Sequence, residues 1–218
     1  FVLPILQHLI TNPGRHIGAA IITPTRELAE QINDTINALG KHTGFKSASI
    51  YGGAGIENQI RELRKGVNVI VACPGRLLDH LWRGSIDLSR LEILVIDEAD
   101  RMLDMGFLPD VKKILQCLMK RRQTLLFSAT MPEDIRKLTK EILHDPVVIQ
   151  IGQTAPAVTV SHAIYPVQQH LKTALLMELI PELDSKSVLI FTRTKHRTER
   201  VARSLKEHGF RTASLQGD

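Results

Sequence analysis

The stretch "LEILVIDEADRMLDMGF", residues 91–107, carries an apolar run, Ile93 to Ile96, directly into Asp97, Glu98 and Asp100. A short aliphatic and β-branched run of this kind, closed by polar residues, reads as a strand buried on both faces. Carboxylates packed at the end of a buried strand are costly unless a cation or hydrogen-bond donors pair with them. The carboxyl end of this strand therefore belongs at a polar rim, facing a partner that brings positive charge or donors.

Outward from this run the alternation repeats. Strands are predicted over residues 19–23, 47–51, 67–72, 93–96, 124–127 and 147–151, then over 162–167, 187–192 and 212–215. Helices are predicted over 26–39, 56–65, 75–81, 107–118, 133–143, 171–183 and 196–207, and the opening "FVLPILQHL" reads as a core helix. Continuous apolar strands alternating with helices predict an α/β fold, a parallel sheet covered on both faces. "GQTAPAVTV", at 152–160, is small, polar and proline-bearing and reads as a linker. The expected organisation is a first domain over 1–151, a linker over 152–159 and a second domain over 160–218.

The 218 residues are 43% hydrophobic, enough for the cores of one or two domains. Lys and Arg exceed Asp and Glu, 28 to 23, and a net charge of +5 permits nucleic-acid binding without establishing it. There is no run of about 18 apolar residues, so no membrane-spanning helix and no membrane partner is predicted. The apolar opening lacks the basic leader and small-residue cleavage site of a signal peptide. Cys73 and Cys117 are far apart, which points to a reducing, cytoplasmic setting. The nine histidines show no HExxH and no paired Cys/His spacing, hence no zinc signature.

The unusual residues come directly after the predicted strands. "TPTREL" (23–28) stands after the first, "YGG" (51–53) after the second, "ACPGR" (72–76) after the third, "DEAD" (97–100) after the fourth and "SAT" (128–130) after the fifth; "FTRT" (191–194) and "LQGD" (215–218) come later. Ligands of open parallel sheets bind outside the carboxyl ends of the strands. Pro24 stops a strand and Thr25 can cap the next helix, whose free N–H groups suit a phosphate, with Arg26 adding charge. Gly52 and Gly53 allow another backbone to come close, and Pro74, Gly75 and Arg76 repeat the design. Each of these alone is also an ordinary βα turn. Glu98 and Asp100 could equally complement a helix N-terminus. Thr130-Met131-Pro132-Glu133 fits a capping box with proline in the first turn, whereas Ser128 has no such local explanation.

Taken in order, "PTRELAEQ", "GG", "CPGR", "DEAD", "SAT", "LIFTRTK" and "LQGD" resemble the DEAD-box ATP-dependent RNA helicases over essentially the whole chain. "KTALLMELI" and "RTKHRTERVARSL" resemble the bacterial RhlE-like group. The resemblance implies a RecA-like parallel sheet flanked by helices, incomplete at its start, and the beginning of a second RecA-like domain. It implies ATP and Mg²⁺ as cofactors and RNA as partner. Asp97 would orient Mg²⁺ through water, and Glu98 would position and deprotonate the attacking water. Asp100 would link to the neighbouring "SAT" and to the second domain, and Asp100, Ser128, Ala129 and Thr130 would couple nucleotide state to unwinding. RNA would be contacted by Pro24, Thr25, Arg26, Glu27, Gly52, Gly53, Pro74, Gly75 and Arg76, and later by Thr192, Arg193, Gly217 and Asp218. The family usually has Thr where Cys73 stands, which removes a hydroxyl from that position. Aromatic residues are only 4% of the chain, too few for a base-stacking platform, so recognition is expected through phosphates and 2′-hydroxyls with little sequence preference.

No GxxxxGK[ST] occurs in the sequence. In the family the phosphate loop precedes a helix resembling "FVLPILQHL", and arginine-bearing motifs come after "LQGD". The resemblance thus implies an internal piece of a longer protein. These 218 residues alone are expected to hydrolyse no ATP and to be poorly stable. Two other readings stay open. One is a non-enzymatic RNA-binding module derived from a helicase, which would have no need of Glu98. The other is a helicase acting on DNA. "KRR" at 120–122 reads as a solvated loop, and the basic face around Arg197, Arg200 and Arg203 is ambiguous.

Overall fold

Apolar runs of the sequence ladder into one parallel sheet. β1 (Ala19–Ile22), β2 (Ser47–Ile50), β3 (Val69–Ala72), β4 (Ile93–Ile96) and β5 (Gln123–Leu126) stand in the order β2-β3-β1-β4-β5. The computed structural model describes residues 1–119, 122–151, 160–183, 185 and 187–216, so the expected linker at 152–159, most of "KRR", and Gly217 and Asp218 lie outside the described residues. The chain forms two compact units, Phe1–Ile149 and Gln150–Asp218.

The three inner strands, AAII, VIVA and ILVI, are buried at every position, because helices cover both faces of the sheet. Alternate residues feed two cores, as the period of two in a strand requires. Ala19, Ile21, Val69, Val71, Ile93 and Val95 pack with α1 (Val2–Thr11) and α2 (Arg26–Leu39). Ala20, Ile22, Ile70, Ala72, Leu94 and Ile96 pack on the other face, with α4 (Pro74–Trp82) and α6 (Leu108–Gln116) among the covering helices. The edge strands are less buried. β2 alternates half-buried with buried residues beside α3 (Ile56–Arg64), and β5 is exposed or half-buried throughout. α5 (Ala99–Asp104) and α7 (Glu133–Ile142) complete the unit.

At the amino ends of the strands, Glu92 ties α1 to β4. His8 Nε2 lies 2.8 Å from one carboxylate oxygen and His16 Nε2 3.1 Å from the other. Burial raises the Glu92 carboxyl, but the two imidazole hydrogen bonds outweigh it and the net shift is downward. A depressed carboxyl stabilises the fold above its unfolded value and loses that contribution as pH falls through its folded value. Glu92→Gln is therefore expected to lower the urea midpoint at neutral pH and to flatten its decline as pH falls below the ordinary glutamate value of 4.5. Equal slopes for both proteins would exclude this role.

Beyond residue 146 the structure departs from expectation. No strand forms over 147–151, 162–167, 187–192 or 212–215 among the described residues. Val147, Ile149 and Ile151 are 80% or more exposed, as are Ile164, Phe191 and Leu215. A parallel strand takes its backbone hydrogen bonds from lateral neighbours, and these segments have β propensity but no ladder partner. The second unit is built on α8 (Lys172–Glu182) and α9 (Lys195–Glu207), the latter packed through Val201 and Leu205.

Candidate functional site

All five strands being parallel, their carboxyl ends form a single rim. The first N–H beyond β1, β3, β4 and β5 holds each in register: Thr23 donates to Ala72 O, Cys73 to Ile50 O, Asp97 to Ile22 O and Phe127 to Ile96 O, all at 2.8–2.9 Å. Segments far apart in sequence are thereby lined up as 51–54, 73–76, 23–27, 97–100 and 127–130.

At the centre, Asp97 Oδ1 accepts the Glu98 N–H at 3.0 Å. Burial raises the Asp97 carboxyl above the ordinary carboxylate value, against that hydrogen bond, and the Glu98 charge adds to the rise. Glu98 is left-handed, φ 50° and ψ 51°, which costs a non-glycine residue about 1–2 kcal/mol. Strain of this kind collects at functional sites. Its carboxylate is 41% exposed, with Arg101 Nη1 3.8 Å away. The Phe1 and Phe127 rings pack at 5.4 Å, so the N-terminal end of α1, the positive end of its dipole, reaches the same rim.

Beside this pair, "DEAD" and "SAT" are tied together. Asp100 Oδ2 accepts the Thr130 N–H and the Thr130 hydroxyl, both at 2.8 Å. The Asp100 N–H donates to Ser128 Oγ at 3.1 Å, and Ser128 Oγ–H donates to Thr130 O at 2.6 Å. Burial raises the Asp100 carboxyl, but the bonds from Thr130, Ser128 and the Arg101 N–H outweigh it and hold it low. The capping box expected at Thr130 does not form: Pro132 is the N-cap of α7 and has no side-chain bond to offer. The Thr130 hydroxyl instead donates to Asp100, a charge-assisted bond. Ala129 lies exposed between the two tied residues.

Elsewhere on the rim, Thr25 caps α2 as expected, accepting the Leu28 N–H at 3.3 Å, behind a buried Pro24. Arg26 and Glu27 are exposed and bonded to each other at 2.8 Å. Gly52 and Gly75 face open space where a side chain would stand, and Gly53 has φ +84° with Arg26 Nη1 4.0 Å from its missing Cβ. Pro74 is buried at the start of α4. Arg76 does not reach outward. Its guanidinium, 14% exposed, donates to Ala54 O at 2.9 Å and to Gln59 Oε1 at 3.4 Å. In the second unit, Thr192 bonds Thr198 at 2.6 Å and Thr194 caps α9. Thr192, Arg193, Arg197 and Lys172 line a cleft of about 570 Å³ there.

Among the described residues no group of three His, Cys, Asp or Glu side chains gathers as a metal-ligand set. No helix there is long and apolar enough to cross a membrane.

Sequence reading did not single out Gln59 and His80, both buried, or the helix α5. The signal for the first two was present. Gln59 interrupts the stripe Ile56-Ile60-Leu63, and His80 the stripe Leu77-Leu81, at positions facing the core.

A family model described as "DEAD/DEAH box helicase" matches residues 1–138. The chain belongs to this family. Among DEAD-box proteins it is 40% identical to the ATP-dependent RNA helicase RhpA of Helicobacter pylori, over all of this chain and 44% of RhpA. It is 40% identical to the ATP-dependent RNA helicase DeaD of Escherichia coli, over all of this chain and 35% of DeaD. The crystal structure of a DEAD box protein from Methanococcus jannaschii superposes with a TM-score of 0.66 at 37% identity, covering all of this chain and 58% of that one. The chain thus spans less than half the length of these curated relatives.

Proposed function

We propose that this chain belongs to an ATP-dependent RNA helicase that couples ATP hydrolysis to local unwinding or remodelling of RNA. Residues 1–151 would be its ATP-binding RecA-like domain, 152–159 a linker and 160–218 part of its C-terminal RecA-like domain. The observation that carries this reading is the tie from Asp100 to Ser128 and Thr130, set directly beside Asp97 and Glu98. A carboxylate pair alone could serve many reactions. A carboxylate pair locked to a second rim segment can pass a change at phosphate to its neighbours.

Glu98, strained and solvent-accessible, would hold and deprotonate the attacking water. Asp97 fits Mg²⁺ held through water, being one half-buried carboxylate with a single donor on Oδ1. A Mg²⁺ held there would supply positive charge to offset that of the phosphates. The row of half-buried Thr25 and exposed Arg26, Glu27, Gly52, Gly53 and Gly75 would run along an RNA backbone, with Pro24 and Pro74 fixing the two turns behind it. Arg76 would hold the glycine turn in place. Thr192 and Arg193, with Gly217 and Asp218, would contact the same kind of backbone from the second unit. Free thiols at Cys73 and Cys117 are in keeping with a cytoplasmic setting.

The test is ATP turnover by the full-length polypeptide alone, with RNA and with DNA of the same sequence. RNA is expected to stimulate turnover strongly and DNA weakly. RNA binding without any turnover would favour a non-enzymatic module, and equal stimulation by DNA would remove RNA from the reading.

A further inference from the structure

We propose that His80 and Gln59 are positioning residues for RNA: a buried hydrogen-bonded pair that sets the shape of the glycine turn at 51–54 and so the strength of its grip on an RNA strand. The inference rests on the proposed RNA-binding role of that turn.

Neither side chain reaches the rim, yet both ends of the turn depend on them. Gln59, 8% exposed, donates from its amide nitrogen to Tyr51 O at 2.9 Å, the entry to the turn. That bond fixes which end of the amide is oxygen. Gln59 Oε1 therefore faces two donors, His80 Nε2 at 3.0 Å and Arg76 Nη1 at 3.4 Å. Arg76 in turn holds Ala54 O, the exit from the turn, at 2.9 Å. Since Gln59 Oε1 accepts, a neutral His80 carries its proton on Nε2, and Nδ1, at 2.7 Å, takes the Ser85 Oγ–H in preference to His80 O at 3.1 Å. His80 is 0% exposed. Burial, aided by the Arg76 charge, depresses its pKa and so favours the neutral ring, and the Gln59 bond then sets the tautomer.

The turn itself offers little to hold its own shape. Gly52 and Gly53 have no side chains to pack, and Gly53 sits at φ +84°. Glycines are conformationally free, so a backbone that must present its N–H groups to phosphates needs pinning from outside. A fully satisfied buried polar network selects one conformation in a way that apolar packing does not. Leu77 and Leu78 already fill the core around α4. The polar pair at 59 and 80 is thus explained by the carbonyls it holds rather than by the volume it fills.

Two substitutions of similar size separate positioning from folding. His80→Gln keeps a donor near the Nε2 position and so keeps Gln59. His80→Asn places its amide near Nδ1 and releases Gln59. In the full-length polypeptide, His80→Asn is expected to raise the RNA concentration giving half-maximal ATP turnover about tenfold, and to leave turnover at saturating RNA near that of wild type. His80→Gln is expected to stay close to wild type in both. The backbone amide chemical shifts of Gly52 and Gly53 should move in His80→Asn and not in His80→Gln. Gln59→Met, of similar volume, should match His80→Asn. If both His80 variants lose thermal stability alike and bind RNA alike, the pair is structural and the inference falls. If the wild-type protein shows no RNA response, the reading of the rim falls with it.

Discussion

Glu98→Gln is expected to lower RNA-stimulated ATP turnover about 10²–10⁴-fold while leaving RNA affinity and thermal stability unchanged. The activity loss comes from chemistry. A carboxylate can accept a proton from water and an amide cannot, whereas both can hold a water by hydrogen bonding. The sparing of stability comes from the structure. The Glu98 carboxylate is 41% exposed and its ion-pair partner among the described residues, Arg101, stands 3.8 Å off, so the pair contributes less than about 1 kcal/mol. The left-handed backbone at Glu98 is equally costly for glutamine, so that strain cancels in the comparison. Single-turnover hydrolysis and equilibrium RNA binding, measured on the same preparation, decide the matter. Retention of more than about a tenth of the wild-type rate would move the base to another residue.

Much of this rim was legible because parallel strands make it so. Once "ILVI", "VIVA" and "AAII" are taken as inner strands, the residues at their carboxyl ends must share an edge, and the in-register N–H bonds of Thr23, Cys73 and Asp97 bear that out. The side chains were harder to read. Arg76 stands where an outward cation was expected, but it points inward to Ala54 O, because an unpaired carbonyl in that turn offers a nearer acceptor than solvent. Thr130 matched a helix cap in sequence, and Asp100, 30 residues earlier in the chain, took its hydroxyl. No local pattern can report a long-range carboxylate; the link from Asp100 to "SAT" was implied by the family resemblance alone. The strands expected after residue 146 failed for the opposite reason: β propensity was present locally, and the lateral partners that make a strand were not.

Asp100→Asn is expected to cut duplex unwinding at least about tenfold while ATP turnover falls only a few-fold, separating the two activities. Asp100 Oδ2 receives two donors from Thr130 at 2.8 Å. An amide offers one oxygen and no charge, and if its nitrogen turns toward Thr130 it sets donor against donors. Charge-assisted bonds are about twice as strong as neutral ones, and the loss in this half-buried place should be about 1–3 kcal/mol. The same bond gives a pH signature. The Asp100 carboxyl is held below its ordinary value of 3.8, net of a burial effect in the other direction. The tie is therefore complete above that value and is lost as pH falls through the depressed one. Wild-type protein should lose stability along this acid limb, and Asp100→Asn should show less of the loss, having no proton to take up. Thr130→Ala removes the hydroxyl donor but keeps the N–H, so it should give a smaller defect of the same kind. If Asp100→Asn lowered hydrolysis and unwinding in equal proportion, the tie would belong to the hydrolytic step itself. The coupling role would then have to lie in residues that do not touch Ser128 or Thr130.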